Sequence, residues 1–354
     1  MADYLKYCKF GDLNLEDSFF DSLKKDYPGF ATWFDGKAEN QEHAYVHYNK
    51  TGALSGFLYM KVEHISVEDV TPIIYGKNIV KIGTFKIDSH GTRQGERFLK
   101  KAFDYCICNE ADVCYVTLFR KQDGLIRLFS KYGFVEHGKK AGTESDGDEI
   151  VMTKSFAELT GDIFKDYPMV DCRTASKHLL SIYPKYHSVM FPDSILKNEN
   201  TNILSDKTYT NSIHKTYVCN MRDTKRLSKG DILVIYRTKD EGKSAEYSSV
   251  ATSICVVESV SAQGEYPDYE EFYSDVSKYS IFEKEELRMY YNKGNCVVIK
   301  MTYNIALNKR ITRHDLIEKI GLSRNAYYGY MKLSDDIFKK IIKAGEVNES
   351  LIIY

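Results

Sequence analysis

The chain is 354 residues long, more than one hydrophobic core usually serves, so two domains are expected. Hydrophobic residues make up 43% and charged residues 28%, with no apolar run approaching about 18 residues, which excludes a disordered chain and a chain threaded through a membrane as helices. The formal net charge of −1 is balanced along the sequence and excludes a molecule-wide basic field for nucleic acid. The opening MADYLKYCKFGDLNLED has neither the apolar stretch of a signal peptide nor the Arg/Ser bias of a transit peptide, so a cytoplasmic location is expected. The eight cysteines are scattered and their closest pair, Cys106-x-Cys108, is not a zinc spacing; buried, reduced thiols and no metal are expected.

In chain order, HAYVHYNKTGALSGFLYMKVEH (43–64) reads as two strands joined through a turn at Asn49–Gly52. NIVKIGTFKI (78–87) is a further strand. GERFLKKAFDYCICNEA (95–111) places Phe98, Leu99, Ala102, Phe103 and Cys106 at helical spacing, an amphipathic helix directly after that strand. VCYVTLF (113–119) is a strand, LIRLFSKYGF (125–134) a helix stopped by Gly133, and EIVMTKSF (149–156) a closing strand. Residues 158–204 hold three of the six prolines, are rich in aromatics and poor in Gly and Ser, and read as an ordered connector. From 213 the pattern is mainly β, with an acidic, tyrosine-rich helical insertion over 270–291, which predicts a small barrel.

Between the strand ending at Ile87 and the helix that follows lies HGTRQG (90–95). A strand, a tight loop and a helix aim unpaired N–H groups and a positive dipole end at one spot, as a pyrophosphate requires. With the downstream order of elements, residues 1–157 resemble the GNAT family of N-acetyltransferases. In that family the loop reads Q/R-x-x-G-x-G/A. Here His90-Gly91-Thr92-Arg93-Gln94-Gly95 keeps the last glycine and puts Arg93 in place of the middle one. The stretch 125–134 resembles the family's A-x-x-x-Y-x-x-x-G-F motif, with Gly133 and Phe134 in place and Gln122 where an asparagine often stands.

The resemblance implies an α/β GNAT fold, a mixed central sheet with flanking helices, that takes acetyl-CoA as its cofactor. The diphosphate would sit on His90, Gly91, Thr92, Arg93, Gln94, Gly95 and Glu96. The pantetheine arm would follow Phe85, Lys86 and Ile87, beside Gln122 and Phe129. Binding in the family runs mainly through main-chain N–H groups, so side-chain changes are tolerated and Arg93 can meet phosphate directly. The tyrosine that many members use to protonate the departing thiolate falls on Phe129, which has no proton to give; Tyr132 and Tyr115 are the candidate substitutes. For the base that frees the acceptor amine, Glu63 and His64 end a strand of the expected pair, with His43 and His47 on its partner. No Ser/His/Asp order and no P-loop competes for the chemistry.

Residues 205–354 resemble the PUA-like superfamily, near its EVE and ASCH branches, through Lys229-Gly230-Asp231 opening DILVIYR, the strand SVATSICVVESV and the late helix LSDDIFKKII. The K-x-x-E-x-R signature of many ASCH domains is absent. The resemblance implies a PUA-like small β-barrel that takes RNA or a modified nucleotide. Tyr236, Arg237 and Tyr247 are the candidates for base contacts, and Lys215, Arg222, Lys225, Arg226 and Lys229 for phosphates. A rival is a helix-turn-helix over 315–342, with Gly321 at the turn and a recognition helix near 323–330.

The expected organisation is therefore an acetyltransferase domain (1–157), a connector (158–204) and a PUA-like domain (205–354). Its expected function is acetyl-CoA-dependent N-acetylation of an amine, with an RNA-linked amine as a coherent acceptor. The alternatives are an acyl-CoA-binding sensor or scaffold, and a DNA-binding regulator.

Overall fold

The computed structural model describes residues 4–88, 94–140, 149–191 and 212–354. These form two compact units, the first ending at Asp166 and the second starting at Tyr167. No helix among the described residues is long and apolar enough to cross a membrane.

The first unit contains β1 (Tyr4–Lys9), α1 (Asp21–Asp26), α2 (Phe30–Glu39), β2 (His43–Tyr48), β3 (Leu54–Val67), β4 (Ile74–Ile87), α3 (Gln94–Cys108), β5 (Val113–Leu118), α4 (Asp123–Lys131), β6 (Val135–Lys140), β7 (Glu149–Ser155) and α5 (Ile163–Asp166). Its seven-stranded sheet has the order β1-β2-β3-β4-β5-β7-β6. Every neighbouring pair is antiparallel except β4 and β5. A parallel pair needs a crossover, and α3 supplies it. The β2–β3 turn forms at the expected place: the Asn49 carboxamide accepts from the Thr51 and Ala53 amides (2.9 and 3.1 Å), and Gly52 takes a φ of +84°. The spacing read in α3 is its buried face, with Phe98, Leu99, Ala102, Phe103 and Cys106 all covered. An aromatic cluster of Phe10, Phe19, Phe20, Phe30, Phe34 and Phe57 anchors the N-terminal segments, which the sequence pattern had left unread. Gly133 ends α4 with a φ of +86°, and a Cβ there would lie 2.2 Å from the Lys165 carbonyl oxygen, so no other residue fits.

The second unit contains β8 (Val170–Asp171), β9 (Lys177–Ile182), α6 (Pro184–Met190), β10 (His214–Cys219), β11 (Ile232–Arg237), α7 (Ala245–Ser248), β12 (Val250–Ala262), α8 (Tyr269–Val276), α9 (Lys284–Asn292), β13 (Val297–Thr312), α10 (Arg313–Glu318), β14 (Tyr330–Leu333), α11 (Asp335–Ala344) and β15 (Ile352–Ile353). Its six-stranded sheet has the order β10-β13-β12-β11-β9-β14, and β15 pairs with β8 apart from it. The small barrel expected here is not formed. β9, from the stretch read as connector, adds in parallel beside β11, and β14 adds beyond it, so the sheet grows at that edge. The edge strands β10 and β14 do not pair with each other among the described residues.

The helix-turn-helix is also not formed. The stretch read as a recognition helix is turns: Gly321 takes a φ of +96°, and Tyr330 already belongs to a strand paired with β9. The chain becomes helical again only at Asp335, where the Ser334 hydroxyl caps α11 by accepting from the Ile337 amide.

Candidate active site

The parallel ladder between β4 and β5 runs from Ile79–Val113 to Ile82–Val116 and stops there. Past that pair the strands part, and a cleft of about 540 Å³ opens between Gly83, Thr84 and Phe85 on one side and Thr117 and Leu118 on the other. The other edge of β4 stays occupied, with Thr84 opposite Tyr59 and Phe85 opposite Leu58. The edge facing β5 has therefore lost its strand partner at the carboxyl end of a parallel pair, the usual crevice of an α/β sheet.

The cleft wall is aromatic on the side of α1 and α2, where Tyr27, Phe30 and Trp33 face it, and charged on the other, where Lys81, Lys140 and Glu149 do. The Tyr27 hydroxyl donates to Glu149 at 3.4 Å, which holds the carboxylate against the aromatic side. Lys140 is ion-paired with Asp69. Behind Lys81 the Glu63 carboxylate takes Lys61 at 2.6 Å and the Tyr115 hydroxyl at 2.6 Å. Burial pushes the Glu63 carboxyl up, but the hydrogen bonds from Lys61 and Tyr115 outweigh it and leave it below the usual carboxylate range. Tyr115 is pushed strongly up, first by burial and then by Glu63. Lys81 is pushed down, first by burial and then by Lys140.

Of the residues expected to hold acetyl-CoA, Phe85 and Gln122 line the cleft. Gln122 sits at the start of α4 and accepts from the Phe119 amide at 2.9 Å. Phe129 is fully buried against Phe85 and Phe134 and lies behind the cleft wall. Ile87 ends β4, while the Lys86 ammonium is tied to the Phe19 carbonyl and the Ser22 hydroxyl. His90, Gly91, Thr92 and Arg93 lie outside the described residues. Gln94 opens α3 and turns inward, its amide donating to His47 Nδ1 at 3.0 Å. Glu96 bonds Lys131 and the Tyr132 hydroxyl at 2.7 and 3.0 Å. A Cβ at Gly95 would meet the end of the Leu128 side chain at 2.9 Å, so the glycine lets α3 pack closely on α4.

The catalytic candidates fare differently. Tyr132 and Tyr115 are fully buried, hydrogen-bonded to carboxylates and absent from the cleft lining, so neither has a hydroxyl turned toward a leaving group. Glu63 stands behind Lys81, outside the lining. His64 is exposed and lies 3.5 Å from the Lys77 carbonyl oxygen. His47 is buried beside Ser55 and Gln94, and His43 stacks on Tyr7. The sequence reading missed Tyr27, Trp33, Lys81, Lys140 and Glu149. The signal for Lys81 was a lone lysine inside an apolar strand run; the others reach the cleft only through the tertiary fold.

In the second unit the nucleic-acid candidates do not converge. Tyr236 and Arg237 are 2% and 3% exposed on β11, Tyr236 against Tyr328 and Arg237 bonded to Asp240 at 2.6 Å. Lys215 is buried near the rings of Phe191 and Tyr303. Tyr236 and Arg237 sit on an interior strand covered on both faces, and Lys215 sits on the edge strand β10, whose six residues are all buried. Arg222, Lys225, Arg226 and Lys229 remain exposed, on and after a short 3₁₀ turn. Tyr247 is exposed and stacks on His314, whose neighbours Glu246 and Glu318 are both bonded by Arg324.

No family model matches the chain, and no curated protein matches it. Among solved structures it is similar to ASCH from Zymomonas mobilis, 10% identical, covering 47% of this chain and 94% of that one at a TM-score of 0.32. It is similar to Ard1 from Thermoplasma volcanium, 17% identical, covering 44% of this chain and 98% of that one at 0.34. A further likeness is to an acetyltransferase of the GNAT family from Streptococcus pneumoniae, 13% identical, covering 43% and 98% at 0.32.

Proposed function

We propose that the first unit is an N-acyltransferase that takes acetyl-CoA in the cleft between β4 and β5. The observation that carries this is the open edge of β4 past Ile82. An extended arm bearing amides can pair with that edge as a strand would, which satisfies the main chain of Gly83–Phe85. The N-terminus of α3, reached directly after β4, offers unpaired N–H groups to a diphosphate. When bound, the thioester supplies an activated acyl group.

The chain's own residues then have distinct tasks. Trp33, Tyr27 and Phe30 shield the cleft and cover the apolar body of an acceptor amine. Glu149 draws the ammonium form of that amine toward the cleft. Phe129 has no proton to give and the Tyr115 and Tyr132 hydroxyls are bonded to carboxylates, so none of these three assists the leaving thiolate. A thiol pKa near 8.5 makes the bare thiolate a tolerable leaving group, at the expense of the roughly 10²–10⁴ that general acid help contributes. Calorimetry with acetyl-CoA, followed by thiol release with a panel of primary amines, tests this. Heat of binding that Thr117→Trp abolishes, with amine-dependent thiol release, supports the enzyme; heat without release for any amine makes the unit a CoA-binding sensor.

For the second unit, the exposed basic segment Arg222–Lys229 favours contact with a polyanion such as RNA. Removing Lys225 and Arg226 together should flatten the salt dependence of RNA binding, by about 0.7 in the log–log slope for each lost phosphate contact. An unchanged slope removes the segment from any such role.

A further inference from the structure

Lys81 is the most unusual side chain in the cleft. It stands on β4 one residue before the last ladder pair, so its amine lies at the base of the gap. The charged groups around it come from four directions: Lys61 and Glu63 from β3, Asp69 just after β3, Tyr115 from β5 and Lys140 from β6. Each anion is already claimed, Glu63 by Lys61 and Tyr115, and Asp69 by Lys140. Lys81 has no hydrogen-bonded or ion-paired partner among the described residues, and its Nζ rests 5.4 Å from the centre of the Tyr115 ring. Half-buried, with Lys61 and Lys140 near and Glu63 and Asp69 held by other groups, Lys81 is pushed below the usual lysine range, which raises its share of the nucleophilic neutral form.

An arm that enters at the α3 end of β4 and lies along Gly83–Phe85 points its far end at this place. Resting on the acyltransferase reading above, we propose that Lys81 is itself an acyl acceptor, a self-acetylation site in the floor of the cleft. The Nζ lone pair forms a bond to the thioester carbonyl carbon, the carbon–sulfur bond breaks, and CoA leaves as the thiol with the proton that Nζ gives up. The product is a neutral N-acetyl-lysine, which removes one positive charge from the cleft and fills its base. Self-acetylation therefore closes the site to further acyl donor.

The experiment incubates the full chain with acetyl-CoA carrying a ¹³C₂-acetyl group, then maps the label by peptide mass spectrometry. Label at Lys81 should exceed that at each of the exposed Lys50, Lys77 and Lys239. Lys81→Arg should lose that label and melt within a few degrees of the parent. A second readout needs no CoA: in the reductively ¹³C-methylated protein, the Lys81 methyl signal should titrate at lower pH than that of Lys50. Equal labelling of Lys81 and Lys50, with acetyl-CoA heat intact, overturns the self-acetylation alone. A Lys81 midpoint equal to that of Lys50 overturns it as well. Absence of any acetyl-CoA heat overturns both it and the acyltransferase reading.

Discussion

Each of the two large sheets contains one parallel pair, and the two pairs end differently. β9 and β11 stay in register from Lys177–Ile232 to Ile182–Arg237, the whole of both strands. β4 and β5 share only the register from Ile79–Val113 to Ile82–Val116, and the rest of β4 runs on without β5. The first arrangement buries what it carries: all six residues of β11 are covered, Tyr236 and Arg237 included. The second leaves an edge of main chain open beside a cleft. A parallel pair that holds together makes core, and one that parts makes a site.

The largest expected effects come from truncating an aromatic ring on each pair. Phe85→Ala removes a ring that packs on Phe98 and Phe129 and also lines the cleft. It should cost about 3–5 kcal/mol in stability and weaken acetyl-CoA binding. Tyr236→Ala should cost a similar amount and leave acetyl-CoA binding alone. Melting and calorimetry on both variants check this; a Tyr236→Ala protein that melts like the parent would show the ring to be available to a ligand.

A smaller effect concerns Lys154 on β7, which burial pushes down to about 8 and whose ammonium donates to the Lys165 carbonyl at 2.5 Å. Below pH 8 folded and unfolded chains both hold this proton. Between about 8 and the unfolded value near 10.4, the unfolded chain binds more protons, so stability rises with pH, by at most about 1.4 kcal/mol per pH unit. Denaturant unfolding across that range should show the rise, and Lys154→Met should lack it. A parent curve that falls through the same range would contradict the burial of the charge.

The smallest effects distinguish packing from catalysis in the wall of the cleft. Phe129→Tyr places a hydroxyl among Phe85 and Phe134, costing about 1–3 kcal/mol without raising any rate. Tyr132→Phe removes the hydroxyl that bonds Glu96, costing about 1 kcal/mol with kcat unchanged. A fall in kcat at constant KM for Tyr132→Phe would restore it as the acid.

The strands β2 to β5 were legible from their β-branched and aromatic runs, and α3 from the apolar spacing that records its buried face. β6 was not, since its residues VEHGKK carry almost no apolar signal and rely on pairing with β7. The role of β9 was hidden in a proline-bearing stretch that looked like a connector. Barrel closure was misjudged because strand order is a non-local property, and a parallel addition at one edge leaves no local trace. For the proposed site, Phe85 and Gln122 were named from the sequence and line the cleft, while residues 90–93 lie outside the described residues. The partners of the tyrosine hydroxyls were not legible, because residue type says nothing about which carboxylate holds a hydroxyl in the fold. Lys81 shows the same limit from the other side: its meaning depends on Glu63 and Asp69 being claimed by others.

Under the acyltransferase proposal, the main chain of β4 past Ile82 receives the arm of acetyl-CoA. Hydrogen–deuterium exchange on the full chain, with and without saturating acetyl-CoA, tests it most directly. Exchange should slow in the peptide spanning 83–87 and at the start of α3, with β9 and β11 unchanged. Binding of acetyl-CoA that leaves 83–87 exchanging as before, or that protects only the second unit, would contradict it.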